Sequence, residues 1–313
     1  MFDYYYNDVG LIIDSRVRPR KMIIREPRPV FHEEMKFYHL DDVFEFQDSV
    51  APYFWSEATT WFYHGRKAGK IVYGEDCTQT RFVVDPSFTD RRLTPCDLDK
   101  MNELNSESLK VLVDETVKQL QSVYKPDYAY HVSFSGGKDS TALFELIKES
   151  ELGRFDVVFC DTQMENPFTY EYVDGFEQSL LRESIPFYRA KSRLEILESW
   201  RLFGPPSRYQ RWCCSVHKSV PFGILTKELG YKKNASLIGV RRSESVMRRT
   251  REFVIEETNS KIKNERIINA IIDWTSAEVW SYIFSKKVPF NKSYRVGFRR
   301  VGCLICPMSG GER

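Results

Sequence analysis

The feature that most constrains this chain is a glycine pair set between a β-like run and a helical one. Tyr128-Ala129-Tyr130-His131-Val132-Ser133-Phe134 leads into Ser135-Gly136-Gly137-Lys138-Asp139-Ser140, and the helical run Thr141 to Ser150 follows. Strand, glycine loop and helix in that order is a unit of α/β architecture. Two glycines let backbone N–H groups face inward at an anion, and the helix N-terminus adds roughly half a positive charge, so phosphate is the natural guest. Lys138 adds a compact cation, and Ser133, Ser135 and Ser140 offer hydroxyls to phosphate oxygens. Asp139 is placed to cap the helix or to hold magnesium. The spacing is neither GxxxxGK[ST] nor GxGxxG.

The same alternation continues downstream. Phe155 to Cys160 reads as a buried strand ending at Asp161-Thr162, and residues 167–183 read as a helix. Leu237-Ile238-Gly239-Val240 reads as a third strand and residues 277–283 as a helix. Upstream, apolar positions from Met101 to Val123 recur mostly every three or four residues, which predicts an amphipathic helix over 97–124. Together these predict a doubly wound parallel sheet with its ligand site outside the carboxyl ends of the strands. Asp161 then meets ribose or metal, or else Asp161 or Thr162 caps the following helix. Trp274, Trp280 and Tyr282 read as core.

Residues 1–95 read as a small strand-rich module, with β-like Thr60 to Tyr63 and Lys70 to Tyr73 broken by Gly65, Gly69 and Gly74. Residues 96–313 are expected to form a second, phosphate-loop-bearing domain. The basic stretch Arg16 to Arg28 holds Pro19 and Pro27, with Pro29 just beyond, so it reads as an extended, solvated segment. Its alternative is a nucleic-acid arm.

Composition settles compartment and partners only coarsely. The chain has 313 residues, 42% hydrophobic and 29% charged, with a formal net charge of +2, so no overall field demands a polyanion. No apolar run approaches the roughly 20 residues of a membrane helix, and Met1-Phe2-Asp3-Tyr4-Tyr5-Tyr6 lacks a basic-then-apolar leader pattern. A cytoplasmic protein without a membrane partner is expected. Seven cysteines there mean packing, metal or redox chemistry rather than a disulfide framework. Cys77, Cys96 and Cys160 stand alone and read as packing residues. Cys213-Cys214 and Cys303-Leu304-Ile305-Cys306 form two close pairs among basic residues; four such thiolates enclose an iron–sulfur cluster or tetrahedral zinc.

The loop Ser135-Gly136-Gly137-Lys138-Asp139-Ser140 resembles the PP-loop motif SGGxDS of the adenine nucleotide alpha hydrolase superfamily, whose members split ATP between the α and β phosphates. The order Cys213-Cys214-Ser215-Val216-His217-Lys218-Ser219-Val220-Pro221, with Gly302-Cys303-Leu304-Ile305-Cys306 downstream, resembles the [4Fe–4S] site of the phosphoadenosine phosphosulfate reductase family. Gly239-Val240-Arg241-Arg242-Ser243-Glu244-Ser245, Asp273-Trp274-Thr275-Ser276 and Val288-Pro289-Phe290-Asn291 extend the likeness over roughly residues 100 to 313.

The resemblance implies a nucleotide site of Ser133, Ser135, Gly136, Gly137, Lys138, Asp139, Ser140, Asp161, Gly239, Arg241 and Arg242. Lys138, Asp139 and Ser140 act in catalysis, and Cys213, Cys214, Cys303 and Cys306 hold the metal. ATP, Mg2+ and a [4Fe–4S] cluster, with zinc as alternative, are the cofactors. Arg241, Arg242, Arg248 and Arg249 suit phosphate or sulfate groups. Three activities remain: adenylation of a substrate for sulfur transfer, reduction of a sulfonucleotide to sulfite, and nucleotide or cluster sensing. Sulfonucleotide reductases have an eroded phosphate loop and a nucleophilic cysteine in a C-terminal Glu-Cys-Gly-x-His segment. Here the loop is intact and no cysteine follows Cys306, which favours adenylation. A sulfur donor protein or thiol carrier is then the expected partner, and a nucleic acid is one acceptor; Arg295 to Arg300 permits but does not require it. Similar architectures begin with a cysteine-bearing zinc ribbon, whereas Tyr4 to Ile13 has no cysteine, so no metal is expected there. With the second pair so near Arg313, one reading has a separate partner protein supply what would follow.

Overall fold

A computed structural model describes residues 2–16, 26–74, 80–256, 262 and 265–308. The chain divides into two compact units. One takes residues 1–115, 273–289 and 293–299, and the other takes 116–272, 290–292 and 300–313. The boundary expected from sequence lies instead at 95/96, with everything after it in the nucleotide domain.

The first unit is built on antiparallel strands. β1 (Asp3–Tyr6) and β2 (Leu11–Asp14) pair with each other, and β3 (Pro27–Val30), β4 (Phe54–Glu57), β5 (Thr60–Tyr63), β6 (Arg66–Tyr73) and β7 (Thr80–Val84) form a five-stranded sheet in sequence order. The short helix α1 (His32–Phe37) follows β3. An aromatic core gathers Trp61 and Tyr63, alternate residues of β5, with Phe54 of β4 and the preceding Tyr53, and Phe54 and Trp61 have ring centroids 5.4 Å apart. Each such ring removes a large apolar area from water, about 1.5–3 kcal/mol per side chain. The long helix α2 (Leu98–Val123) is tied to β2 through Asn105, which accepts from Ile13 N at 2.9 Å and donates to Leu11 O at 2.9 Å.

The last helix, α8 (Ser276–Lys286), starts at a capping box between Thr275 and Glu278 and belongs to this first unit. Its register buries Trp280 and Tyr282, as expected of core residues. The expected extended segment Arg16 to Arg28 lies mostly outside the described residues. Its end is not a solvated arm: Arg28 sits in β3 and grips Glu34 through two 2.6 Å hydrogen bonds.

The second unit is a six-stranded sheet ordered β10-β9-β8-β11-β13-β12. Its members are β8 (Ala129–Phe134), β9 (Phe155–Asp161), β10 (Phe187–Lys191), β11 (Asn234–Ile238), β12 (Val254–Ile255) and β13 (Glu265–Ile268). All neighbours are parallel except β12 and β13. The expected doubly wound sheet is therefore present. Helices α3 (Lys138–Glu149) and α4 (Pro167–Glu183) are the crossovers beside β8 and β9, with Phe134 stacked on Phe176 at 3.9 Å. The α5 (Ile196–Phe203), α6 (Trp212–Cys214) and α7 (Val220–Glu228) helices lead to β11, with a π-helical stretch, Ser215–Ser219, between the last two.

Two expected boundaries shift for one physical reason. The third strand runs Asn234–Ile238, leaving Gly239 and Val240 outside it, and α3 begins at Lys138 rather than Thr141. A Cβ on Gly239 would stand 2.9 Å from the Asp139 carbonyl carbon and oxygen. The first turn of α3 thus packs directly on the chain leaving β11, and only a glycine admits that approach.

Candidate active site

The winding reverses at β8, which has β9 on one side and β11 on the other, so the crevice rule points at the loops leaving β8 and β11. Those loops carry Ser135 to Gly137 and Gly239 to Arg241. Gly136 has φ of +69°, and a Cβ there would lie 3.0 Å from Thr169 Cγ2. Gly137 caps α3 with no side-chain hydrogen bond, so the first N–H groups of the helix have no side-chain cap. Loop shape is fixed from within: Ser140 Oγ donates to Gly137 O at 2.8 Å and accepts from Ser135 N at 3.2 Å. Asn291 adds a brace, donating to Gly136 O at 3.1 Å and to Thr169 Oγ1 at 3.0 Å.

Charge is concentrated at the first turn of α3. Lys138 and Arg241 are both buried, at 5% and 2% exposure, and both contact Asp139. Lys138 Nζ reaches the two carboxylate oxygens at 2.8 Å each, and Arg241 Nε reaches Oδ1 at 2.7 Å. Burial by itself raises the Asp139 carboxyl, but the Arg241 guanidinium and then the Lys138 ammonium outweigh it and hold the group at about 2. Two cations against one carboxylate leave a net positive cluster at a helix N-terminus, the setting in which phosphate binds. A single carboxylate is also what magnesium asks of a protein when the nucleotide supplies the other oxygens.

Other expected nucleotide residues fall in different places. Ser133 stays inside β8, in register with Ile238 and Val158, and is not part of the loop. Asp161 ends β9 and folds its own turn, accepting from Gln163 N and Tyr170 OH, each at 2.8 Å. The α4 cap is neither Asp161 nor Thr162; it is Asn166, which accepts from Phe168 N. The expected arginine cluster does not converge. Arg242 turns to the carbonyls of Arg249 and Arg251, Arg248 pairs with Glu244, and Arg241 reaches the loop. In the run Arg295 to Arg300, Arg295 is spent on Glu33 at 2.5 Å and Arg299 on Ala58 O.

The two cysteine pairs come into one neighbourhood. Burial, then the adjacent Cys214 and also Cys303, push the Cys213 thiol up to about 11. Burial likewise raises Cys303, against the opposing pull of Lys218, which also senses Cys214. Cys303 is pinned by Thr162 Oγ1 at 3.3 Å and Glu165 Oε1 at 3.7 Å, while Leu304 N donates to Met164 O at 2.6 Å. Four thiols in two pairs are the right donors for a cluster or zinc. Among the described residues, however, no three His, Cys, Asp or Glu side chains stand together as a metal site. Cys96 is buried and Cys160 lies in β9 beside Val158, consistent with packing; Cys77 lies outside the described residues.

Fold and site define a doubly wound α/β protein with a glycine loop at the switch point of its sheet. The family model for the phosphoadenosine phosphosulfate reductase domain matches residues 129–309, and the chain belongs to that family. It is 32% identical over 209 residues to an uncharacterised protein of Methanocaldococcus jannaschii, covering 67% of this chain and 48% of that one. A second uncharacterised protein of that organism is 34% identical over 58% of this chain and 37% of its own length. The chain thus spans half or less of these first relatives. It is also 29% identical to an adenosine 5'-phosphosulfate reductase of Bacillus mycoides, over 60% of this chain and 76% of that one. Among solved structures, a phosphoadenylyl-sulfate reductase from Candida auris in complex with phosphate overlays with a TM-score of 0.46 and 23% identity, covering 66% of this chain and 94% of that one. No helix among the described residues is long and apolar enough to cross a membrane.

Proposed function

We propose that this chain is an ATP pyrophosphatase-type enzyme that adenylates an acceptor oxygen and so prepares it for replacement by sulfur. The observation that carries this reading is the α3 N-terminus, where the first N–H groups have no side-chain cap and buried Lys138 and buried Arg241 converge on Asp139. A pyrophosphate leaving group is what such a cluster of donors stabilises. The acceptor oxygen attacks the α-phosphorus, the α–β bond breaks, and charge builds on the departing pyrophosphate. Lys138 exchanges Asp139 for the β and γ oxygens, while the Gly136, Gly137 and Lys138 N–H groups hold the phosphate without reorganising. Arg241 keeps Asp139 ionised and in place. Magnesium carried by ATP would neutralise the polyphosphate, with Asp139 as its nearest protein carboxylate. Hydrosulfide from a sulfur donor then attacks the activated carbon and expels AMP.

Cys213, Cys214, Cys303 and Cys306 are the residues that would hold a [4Fe–4S] cluster, with zinc as the alternative. A bound cluster would present sulfur or fix the two segments; no step above depends on it. Reduction of a sulfonucleotide is the second reading, favoured by the likeness to adenosine 5'-phosphosulfate reductases, and it would use the same cluster. ATP labelled at the α-phosphate separates the outcomes of hydrolysis. AMP and pyrophosphate are expected, and ADP with orthophosphate would overturn the reading.

A further inference from the structure

We infer that the turn Ser207–Gln210, beside the second cysteine pair, is a stacking platform for an unpaired base of a single-stranded nucleic acid. This names the acceptor class for the adenylating reading and rests on it. Tyr209 is 98% exposed, and the backbone that carries it is held in a turn. Its turn is closed by Ser207 N donating to Gln210 O at 3.1 Å and by Gln210 N donating to Ser207 Oγ at 3.0 Å. Arg208 Nε donates to Pro307 O at 3.3 Å, which anchors the turn to the segment carrying Cys303 and Cys306. On either side in sequence, Phe203 and Trp212 lie with ring centroids 5.2 Å apart, and Phe203 is half exposed.

Along the sequence, the charge near the ring is of one sign. From Gly204 to Lys227 the sequence holds Arg208, Arg211, Lys218 and Lys227 and no Asp or Glu. Arg208 and Arg211 are exposed, and among the described residues neither is ion-paired with a carboxylate. Since the whole chain is only +2, this stretch is more basic than the chain as a whole. A solvent-facing aromatic ring on a closed turn, with an exposed arginine on either side of it in sequence, matches a base flanked by two phosphates: the ring takes the base face and the arginines take the backbone. A duplex keeps its bases stacked on one another and offers Tyr209 nothing to receive.

The test is fluorescence anisotropy of fluorescein-labelled single-stranded RNA, single-stranded DNA of the same sequence and the corresponding duplex, titrated with the full chain. Single strands should bind more tightly than duplex, and the RNA and DNA arms identify the source. Tyr209→Ala should weaken single-strand binding roughly 5- to 100-fold, whereas Tyr209→Phe should retain it. Arg211→Ala should lower the salt dependence by about one released counterion. Equal binding by wild type and Tyr209→Ala, or no saturable binding by any strand, overturns the platform. Pyrophosphate release from ATP by the wild-type chain is followed in parallel. If it proceeds without strand binding, the platform fails and adenylation stands; Tyr209-dependent binding without α–β cleavage means that the platform stands and adenylation fails.

Discussion

The phosphate loop and the cysteine neighbourhood lie in the same compact unit, but they are finished to different degrees. The loop is made of six consecutive residues, Ser135 to Ser140, braced by Asn291 and Gly239, and every charged group in it already has its partner. The cysteine neighbourhood joins two distant segments through a few contacts, Cys303 to Thr162 and Glu165 and Leu304 to Met164, and its thiols are near one another without forming a closed donor set among the described residues. Contiguous backbone can preorganise an anion site before any ligand arrives. Sites assembled from distant segments gain their final spacing from what they bind, as metal sites do.

The difference predicts separable defects, and the largest test it most directly. Lys138→Ala should slow pyrophosphate release from ATP on the order of 10²- to 10³-fold, the cost of one preorganised donor at developing charge. Iron content after anaerobic reconstitution should be unchanged. Cys306→Ser should do the opposite, losing iron while nucleotide binding, followed by calorimetry, stays intact. One variant that damages both would break the comparison.

Gly239→Ala places a methyl group 2.9 Å from the Asp139 backbone and should destabilise the fold by about 1–3 kcal/mol, read by denaturant unfolding. It should also weaken ATP binding, because the turn that must move is the phosphate-binding one. The acid limb of stability offers a finer test. Asp139 is held near 2 against an ordinary 3.8, so its contribution, about 2 kcal/mol, is fully present above pH 3.8 and lost as pH falls towards 2. Arg241→Met should remove much of that dependence in unfolding measured across this window. Asn291→Ala should cost least, about 1 kcal/mol, with a modest rise in KM for ATP, since it removes hydrogen bonds to Gly136 O and Thr169 Oγ1.

Local sequence carries the loop because everything it needs is adjacent: strand, glycines and helix follow one another, and the expected sheet forms around them. Register at the far side is harder to read. Leu237-Ile238-Gly239-Val240 looks like a strand by hydrophobicity, yet Gly239 is there for contact with α3, which only the tertiary structure reveals. The arginines show the same limit. Arg241, Arg242, Arg248 and Arg249 are equivalent as a string, but the short 3₁₀ turns after β11 send their side chains to different partners, and one reaches Asp139. Asn291 is visible within its motif, but nothing in the string ties it to Gly136, which lies 155 positions earlier. Thr162 and Glu165 carry no signal for a place beside a thiol, since that role depends on where Cys303 arrives.

The most direct test of the account supplies the anaerobically purified chain with ATP or with adenosine phosphosulfate and a thiol, and follows pyrophosphate, AMP and sulfite together. Pyrophosphate and AMP from ATP, with no sulfite from the sulfonucleotide, is the predicted result. Sulfite released in a thiol-dependent manner, with ATP left uncleaved, would contradict it.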